Sequence, residues 1–179
     1  LLGGDTVKMP AGSVVTLGLT AIGRASGTVP SRSGARPGDG VYIAGVIGDA
    51  GLGLRILQSG AAGPASLIAA YRRPLPLLET GRMLAGAVTA MMDISDGLLI
   101  DASRMAVASD VAIMIDLDAV PLSSDAIAYA GSDRAARLAA ATAGDDDALL
   151  FTSTLPVPPG PSRITRIGKV TRGSGLILN

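Results

Sequence analysis

Residues 91–101 read MMDISDGLLID and predict a strand that runs directly into a helix. The apolar residues that end at Ile94 suit a strand, and Ser95 and Asp96 are both residue types that commonly begin helices. A helix start presents unpaired amide groups and the positive end of the helix dipole, so it is a natural site for an anion. This junction therefore bears on both the fold and the function.

Two carboxylates, those of Asp93 and Asp96, flank the predicted helix start. They would repel a phosphate unless a cation lay between them, and magnesium is the hard cation that suits both carboxylate and phosphate oxygens. The spacing therefore predicts a metal-bridged nucleotide site. The alternative is structural, in which Ser95 or Asp96 caps the helix and Asp93 is solvated.

Outward from this junction, strands and helices alternate without a regular βαβ repeat, which predicts an α+β fold. Apolar runs rich in β-branched residues predict strands at 14–22, 41–47, 91–94, 111–117, 149–152 and 164–170, the last two being the final strands. Helical spacing predicts helices at 50–57, 77–87, from about 96 onward, and at 135–141.

Two of these helices carry more specific predictions. Residues 45–53 read GVIGDAGLG and lack the G-x-G-x-x-G spacing of a dinucleotide-binding turn, so Asp49 is predicted to be a helix N-cap. In the helix that follows the opening stretch, apolar residues recur at helical spacing and predict one buried face. Those residues are Leu98, Ala102, Met105 and Ala106.

The composition narrows the chemistry that the chain can perform. Its 179 residues include 15 Lys plus Arg, 15 Asp plus Glu, no histidine and no cysteine. The chain by itself therefore supplies no Ser-His-Asp triad, thiol nucleophile, ordinary zinc site or disulfide. The balanced charge argues against a nucleic-acid partner, and no apolar run approaches the ~20 residues that cross a bilayer. We expect a cytoplasmic protein with no nucleic-acid or membrane partner.

Three further segments carry candidate ligand groups. In GGDT (3–6) the glycines allow close approach to a phosphate and Asp5 is a candidate metal ligand, with an ordinary turn as the alternative. Arg32 is a candidate phosphate ligand through its planar guanidinium group, unless it is merely solvated. The run Asp145, Asp146 and Asp147 is either an exposed acidic loop or faces a cation.

Taken in order, these segments resemble thiamine-monophosphate kinases, which share a superfamily with aminoimidazole ribonucleotide synthetase and selenophosphate synthetase. The matching segments are GGDT (3–6), RSGARPGD (32–39), IGDAGLGL (47–54), RRPLPLLETGRML (72–84), MDISDGLLID (92–101), IDLDAVPLS (115–123), GDDDALLFT (144–152) and TRIGKV (165–170). The resemblance implies that residues 30–179 form an α+β domain of the aminoimidazole ribonucleotide synthetase type. It also implies that residues 1–29 are the tail of an N-terminal domain, including a remnant strand, and that the rest of that domain precedes Leu1.

The resemblance implies an activity as well, namely magnesium-dependent transfer of the ATP γ-phosphoryl group onto thiamine monophosphate, giving thiamine diphosphate. It further implies a homodimer and several magnesium ions. The implied nucleotide-binding residues are Gly4, Asp5, Arg32 and Ser95, the implied magnesium ligands are Asp5, Asp93 and Asp96, and the implied substrate-binding residue is Asp145.

One segment departs from the family pattern and keeps other functions open. Residues 143–148 read AGDDDA where the family usually has GGEDYE. The substrate-binding glutamate is thus replaced by the shorter Asp145, and the aromatic residue and the second glutamate are lost. The alternatives are a non-catalytic nucleotide-binding relative, or an ATP-dependent enzyme of the superfamily that uses a different acceptor.

Overall fold

A six-stranded sheet forms the centre of the fold. The computed structural model describes residues 3–4, 10–12, 14, 17–25, 27–157 and 160–179. The strands are β1 (Gly40–Ala44), β2 (Ala90–Ile94), β3 (Ala112–Ile115), β4 (Ala148–Ser153), β5 (Ile164–Thr171) and β6 (Gly175–Leu178), in the spatial order β2-β4-β1-β5-β3-β6. Neighbouring strands are antiparallel except for the parallel pair of β3 and β6.

Five predicted strands are confirmed as β1 to β5, but the sequence did not predict β6. The prediction that β4 and β5 are the final strands is therefore wrong. Strand β6 has four residues, as β3 does, but it lacks the longer run rich in β-branched residues, at 111–117, from which β3 was predicted. It is held by its parallel pairing with β3, in which Ala112 lies opposite Gly175 and Ile115 opposite Leu178.

The strand predicted at 14–22 is wrong for the residues of that stretch that the structure describes. Val14 and residues 17–22 have no strand pairing, and Leu17 and Leu19 are 91% and 90% exposed. Strand preference expresses packing against neighbouring strands. Within the described part of the chain, no strand lies beside this segment to accept that packing.

Six helices accompany the sheet in the part of the chain that the structure describes. They are α1 (Asp49–Ser59), α2 (Ala65–Arg72), α3 (Leu78–Leu84), α4 (Leu98–Ser109), α5 (Ser124–Ala130) and α6 (Arg134–Thr142), with a 3₁₀ turn at Leu117–Ala119. The sequence predicted α1, α3, α4 and α6 but not the short helices α2 and α5. Among the described residues, no helix has both the length and the apolar composition required to cross a membrane.

The main core lies between α4 and one face of the sheet. The predicted buried face of α4 is confirmed, since Leu98, Ala102, Met105 and Ala106 are all fully buried. They belong to one cluster with apolar side chains from β1, β2, β3, β4 and β5. On the other face of the sheet, Tyr42 and Phe151 stack with ring centroids 5.3 Å apart. The burial of this face of α4 therefore fixes the position of the strand-to-helix junction that precedes the helix.

Helices α1 and α2 form a second, smaller core. Leu52 and Ile56 of α1 pack with Leu67 of α2 and Ala126 of α5. The two helices approach so closely at Gly53 that a Cβ there would lie 2.1 Å from the carbonyl oxygen of Leu67. Only glycine allows this contact between the two backbones.

Candidate functional site

Two loops meet at one end of the sheet, the loop after β2 (residues 95–97) and the loop before β4 (residues 143–147). They lie side by side because β2 and β4 are antiparallel neighbours, with Ile94 opposite Ala148. The Asp145 N–H donates to the carbonyl oxygen of Ser95 at 2.8 Å, and the Asp147 N–H donates to that of Ile94 at 3.1 Å. We term residues 93–97 together with 143–147 the acidic edge.

The backbone of the acidic edge adopts positive φ angles at three positions. Gly97 has φ 122°, Asp145 has φ 64° and Asp147 has φ 50°. Aspartate is one of the few non-glycine residues that tolerates the left-handed region. A Cβ at Gly97 would lie 3.0 Å from the carbonyl oxygen of Ala143, so the two loops are in direct contact.

Helix α4 begins at Leu98, and neither Ser95 nor Asp96 caps it. Its N-cap residue, Gly97, makes no side-chain capping hydrogen bond, so the capping alternative from the sequence is wrong. Asp101, which is 1% exposed, instead accepts hydrogen bonds from the backbone N–H groups of Ser95 and Asp96, both at 3.1 Å. A buried carboxylate inside the helix thus holds the preceding loop in place.

The carboxylates of Asp93 and Asp96 have different surroundings. Asp96 is exposed and forms an ion pair with Arg104, whose Nη1 also donates to Asp101 Oδ1 at 2.8 Å. Asp93 is exposed and lies beside Asp147. Burial raises the pKa of Asp147, and the nearby negative charges of Asp93 and then Asp145 raise it further. Asp93 and Asp147, which the sequence did not pair, therefore lie near enough for the charge of one to act on the other.

A cavity of about 410 Å³ opens at this pair. Asp93 and Asp147 both line it, together with Leu77, Arg82 and other side chains from α3, β2 and the segment before β1. We term it the Asp93 cavity. Its lining combines two acidic side chains with one basic side chain on a mostly apolar wall, which is the usual character of a small-molecule site.

Asp146 has a structural role at the same edge. Its Oδ2 accepts the Gly48 N–H at 2.8 Å and its Oδ1 accepts the Ala50 N–H at 3.3 Å, so it supplies the cap of α1. The prediction that Asp49 is the N-cap is therefore wrong. Asp49 is the first residue of the helix, and its carboxylate accepts the hydroxyl of Ser123 at 2.7 Å.

The environment of Asp146 opposes its ionisation. Burial raises the pKa of Asp146 to about 7, although the two N–H groups of α1 act in the opposite direction. The charges of Asp49 and Asp145 raise it further. The three consecutive aspartates thus have different surroundings. Asp145 is exposed, Asp146 caps a helix and Asp147 faces Asp93.

Of the remaining predicted site residues, Arg32 is the one whose contacts place it, and it lies away from the acidic edge. Asp5 lies outside the described residues, and Gly4 is exposed. The carbonyl oxygen of Arg32 accepts the hydroxyl of Ser109 at 3.1 Å, which places its backbone at the far end of α4. That end is roughly 16 Å from the first turn of the helix at a rise of 1.5 Å per residue. The role of each as a nucleotide ligand stays a prediction.

Among the described residues, no group of three or more acidic side chains lies close enough to hold a metal ion. The sequence did not identify the roles of Asp101, Asp146 and Asp147. Only for Asp101 did the sequence contain an indication of its role. Asp101 lies three residues after Leu98, so helical spacing places it on the otherwise apolar face of α4 that is buried.

The sequence of this domain matches the pattern of a known protein family. The pattern of AIR synthase related protein, C-terminal domain, matches residues 36–179. The chain belongs to this family. The match contains every strand and helix described above, and it confirms the predicted α+β domain of the aminoimidazole ribonucleotide synthetase type.

Curated relatives of this AIR synthase related domain are named thiamine-monophosphate kinase. The one from Escherichia coli (strain K12) is 35% identical over 85% of this chain and 47% of its own length. The one from Caulobacter vibrioides is 38% identical over 82% of this chain and 42% of its own length. The chain thus spans about half the length of the curated relatives it matches, and the resemblance found in the sequence is confirmed.

Solved structures agree with this assignment. Thiamine-monophosphate kinase from Stenotrophomonas maltophilia K279a superimposes with a TM-score of 0.76 at 32% identity, over 84% of this chain and 52% of that one. AaThiL complexed with AMPPCP and TMP superimposes with a TM-score of 0.74 at 32% identity, over 82% of this chain and 49% of that one. The AIR synthase related domain of this chain therefore shares its fold with the kinase structures.

Proposed function

We propose that the chain functions as a thiamine-monophosphate kinase, an ATP-dependent phosphotransferase that converts thiamine monophosphate to thiamine diphosphate. The observation that carries the proposal is the meeting of the MDISDG and GDDD segments at the acidic edge, where Asp93 and Asp147 line one cavity. The names of the curated relatives and the structure of AaThiL with AMPPCP and TMP support it.

Transfer between two phosphate groups requires neutralisation of charge more than it requires a nucleophilic side chain. The transferred group and its acceptor are both anionic, so catalysis depends on positioning and on electrostatic stabilisation. A chain without histidine or cysteine suits this chemistry. The side chains that remain available for it include carboxylates, guanidinium groups, lysine amines and hydroxyls.

The donors at the acidic edge fit magnesium in chemical type. Mg²⁺ is commonly held by one or two carboxylates, with substrate phosphates and water completing its shell, so the lack of a larger acidic cluster in the described part of the chain does not oppose it. We propose Asp93 and Asp96 as ligands together with Asp5, and Asp147 as a further donor beside Asp93. When bound, magnesium would neutralise phosphate charge and orient the transferred group.

The chain's own residues have distinct proposed tasks around that ion. Ser95, Arg32, Gly4 and Asp5 would contact the nucleotide, and Asp145 would contact the acceptor. Asp145 suits its task because its side chain is exposed while its backbone N–H is held by Ser95. Asp101 fixes the backbone of Ser95 and Asp96, so it positions the two residues without touching either substrate.

The proposal extends to the organisation of the protein. Residues 30–179 would form the C-terminal domain, which the family match over 36–179 supports, and residues 1–29 would belong to the domain before it. We propose a homodimer in the cytoplasm.

Phosphorus NMR of the purified protein tests the proposed reaction. With magnesium, ATP and thiamine monophosphate, we expect the resonances of thiamine diphosphate to grow as those of ATP decline. Broadening of the ATP signals by magnesium and protein without product would instead favour a nucleotide-binding relative. Consumption of ATP with another phosphorylated acceptor, but not with thiamine monophosphate, would favour a different enzyme of the superfamily.

A further inference from the structure

Arg104 of α4 connects two carboxylates at the acidic edge. Its Nη1 donates to Asp96 Oδ2 in the loop before the helix and to Asp101 Oδ1 in the helix itself, the second contact at 2.8 Å. Asp101 and Arg104 are three residues apart on α4, a spacing at which helical side chains are neighbours. One guanidinium nitrogen therefore joins an acid of the loop to an acid of the helix.

The two acids differ in how easily they can leave Arg104. Asp101 is 1% exposed, and its Oδ2 accepts the backbone N–H groups of Ser95 and Asp96, so both of its oxygens are in use inside the fold. The side chain of Asp96 is 57% exposed, and its one hydrogen bond within the described part of the chain is the one from Arg104. Rotation of Asp96 away from Arg104 therefore breaks a single exposed contact, whereas rotation of Asp101 would break a buried network.

The carboxylate that Arg104 contacts is also a proposed magnesium ligand. A guanidinium group keeps its positive charge at every pH of interest, and two cations on one small carboxylate repel each other across a few ångströms. Once Asp96 has turned away, Arg104 still has Asp101 as its partner, so no buried charge is left unpaired. The exchange of Asp96 between the two cations thus leaves the buried part of the network intact.

We propose that Arg104 and magnesium compete for Asp96, and that Asp96 leaves Arg104 when it binds the ion while Asp101 keeps Arg104 in place. The inference rests on the proposed function, which makes Asp96 a magnesium ligand. Arg104 is a positioning residue in this scheme, because it acts through Asp96 and contacts neither substrate. Its effect is to hold the exposed carboxylate at the acidic edge and to lower the affinity of that edge for the metal.

Four variants test the competition. Arg104→Gln removes the positive charge but keeps an amide donor for Asp101, and Arg104→Lys keeps the charge. Arg134→Gln is the matched control, because Arg134 is exposed at the start of α6 and takes part in neither ion pair found among the described residues. Asp96→Asn combined with Arg104→Gln shows whether the effect of Arg104 passes through Asp96.

The affinity for Mn²⁺ is the decisive measurement, because this ion takes the same oxygen ligands as Mg²⁺ and its free form has a strong paramagnetic resonance signal. We expect Arg104→Gln to bind Mn²⁺ at least about threefold more tightly than the wild type, since a competing cation is lost. Arg104→Lys and Arg134→Gln should stay within about twofold of the wild type. In the Asp96→Asn background the gain should disappear. A purely structural role of Arg104 predicts the opposite sign, namely weaker binding in Arg104→Gln.

The outcomes for the competition and for the kinase are separable. Unchanged, weaker or undetectable Mn²⁺ binding in folded Arg104→Gln, or a gain that persists with Asp96→Asn, would overturn the competition whether or not the wild type makes thiamine diphosphate. Tighter binding in Arg104→Gln, in a wild type without kinase activity, would support the competition and refute the kinase.

A crystal structure of the wild type with magnesium and AMPPCP tests the same point without any variant, and it decides the matter if Arg104→Gln does not fold. We expect Asp96 to bind the ion and Arg104 to contact Asp101 alone. An Asp96 carboxylate that still accepts from Arg104, with or without the ion on its other oxygen, would overturn the proposal.

Discussion

At the residue scale, the aspartates of the acidic edge divide by what their oxygens contact. Asp101 and Asp146 use theirs for backbone N–H groups, whereas Asp93 and Asp145 are exposed and Asp147 faces Asp93. Loss of a carboxylate from the first group leaves buried donors without partners, which costs folding free energy. Loss from the second group removes a ligand and little stability. Substitutions in the first group are therefore expected to lower the free energy of unfolding. Substitutions in the second group are expected to lower ligand binding or activity with little loss of stability.

Asp101→Ala tests the structural group. The change leaves two loop N–H groups and the guanidinium of Arg104 without their buried acceptor. We expect the free energy of unfolding to fall by roughly 2–4 kcal/mol, as for other broken buried charge networks. Urea unfolding measures it, with Asp110→Asn as the control, because Asp110 is exposed and its φ of 53° suits asparagine. A loss below about 0.5 kcal/mol would contradict the role given to Asp101.

Asp96→Asn tests the ligand group. Its ion pair with Arg104 is exposed, and exposed pairs add little to stability, so the free energy of unfolding should change little. We expect magnesium-dependent ATP turnover to fall at least a hundredfold, because a proposed metal ligand is lost. Steady-state kinetics over a range of magnesium concentrations checks this. Unchanged activity would remove Asp96 from the proposed metal site.

Asp145→Asn distinguishes the acceptor from the nucleotide, because asparagine removes the charge and tolerates the φ of 64° at this position. Since the side chain of Asp145 is exposed beside the Asp93 and Asp147 pair, we expect KM for thiamine monophosphate to rise about tenfold or more. The affinity for AMPPCP should stay within about twofold of the wild type. Titration of each ligand in turn provides the comparison. Equal losses for both ligands would indicate that this part of the loop serves only the structure.

At the element scale, the packing of α1 against α2 determines the shape of a cavity of about 500 Å³ that both helices line. Asp146 reaches α1 from the loop before β4, and Gly53 lets α2 approach α1 closely. The helices and the loop thus form one unit around the cavity. A change in helix spacing would alter both the cavity volume and the position of the acidic loop.

Two glycine substitutions test this packing. In Gly53→Ala the new Cβ would lie 2.1 Å from the Leu67 carbonyl oxygen, so α2 must shift and we expect a loss of about 2 kcal/mol or more. Gly81→Ala in α3 is the contrast, because its Cβ would meet only Leu149 Cδ1 at 3.6 Å. Alanine is the better helix former, so a gain of about 0.5–1 kcal/mol is expected there. Thermal unfolding of both variants measures the two changes in stability. Similar small changes in the two variants would contradict the close packing of α1 against α2.

At the scale of the whole molecule, one carboxyl group is expected to dominate the change of stability with pH, because the chain has no histidine. No side chain in this chain ordinarily titrates between pH 5 and 8. Burial raises the pKa of Asp146 to about 7, so the folded protein binds a proton in this range that the unfolded chain has released. Stability must then decrease as the pH rises from 5 to 8.

Asp146→Asn provides the test of that pH dependence. For the wild type we expect the free energy of unfolding to be lower at pH 8 than at pH 5, by on the order of 2 kcal/mol. The variant lacks the proton that Asp146 releases, so its stability should depend much less on pH over the same interval. Urea unfolding at several pH values gives both slopes. Parallel slopes in the two proteins would show that Asp146 ionises normally in the fold.

Local patterns predicted much of the fold. Periodicity placed five of the six strands, four helices and the buried face of α4, because each pattern is expressed within a dozen residues. The same reasoning missed α2, α5 and β6, and length alone does not explain this, because α3 and β3 were predicted and are no longer than these elements. It also failed at 14–22, where strand preference had no neighbouring strand among the described residues to satisfy it.

By itself, the sequence determined the strand-to-helix junction at 91–101, the acidic chemistry of the candidate site and the family resemblance. Only the tertiary structure decided which carboxylates meet. Asp147 approaches Asp93, and Asp146 caps a helix by accepting the N–H of Gly48, which lies 98 residues before it. Local spacing carries no information about such contacts, because they arise from the pairing of β2 with β4, which brings distant segments together at one end of the sheet.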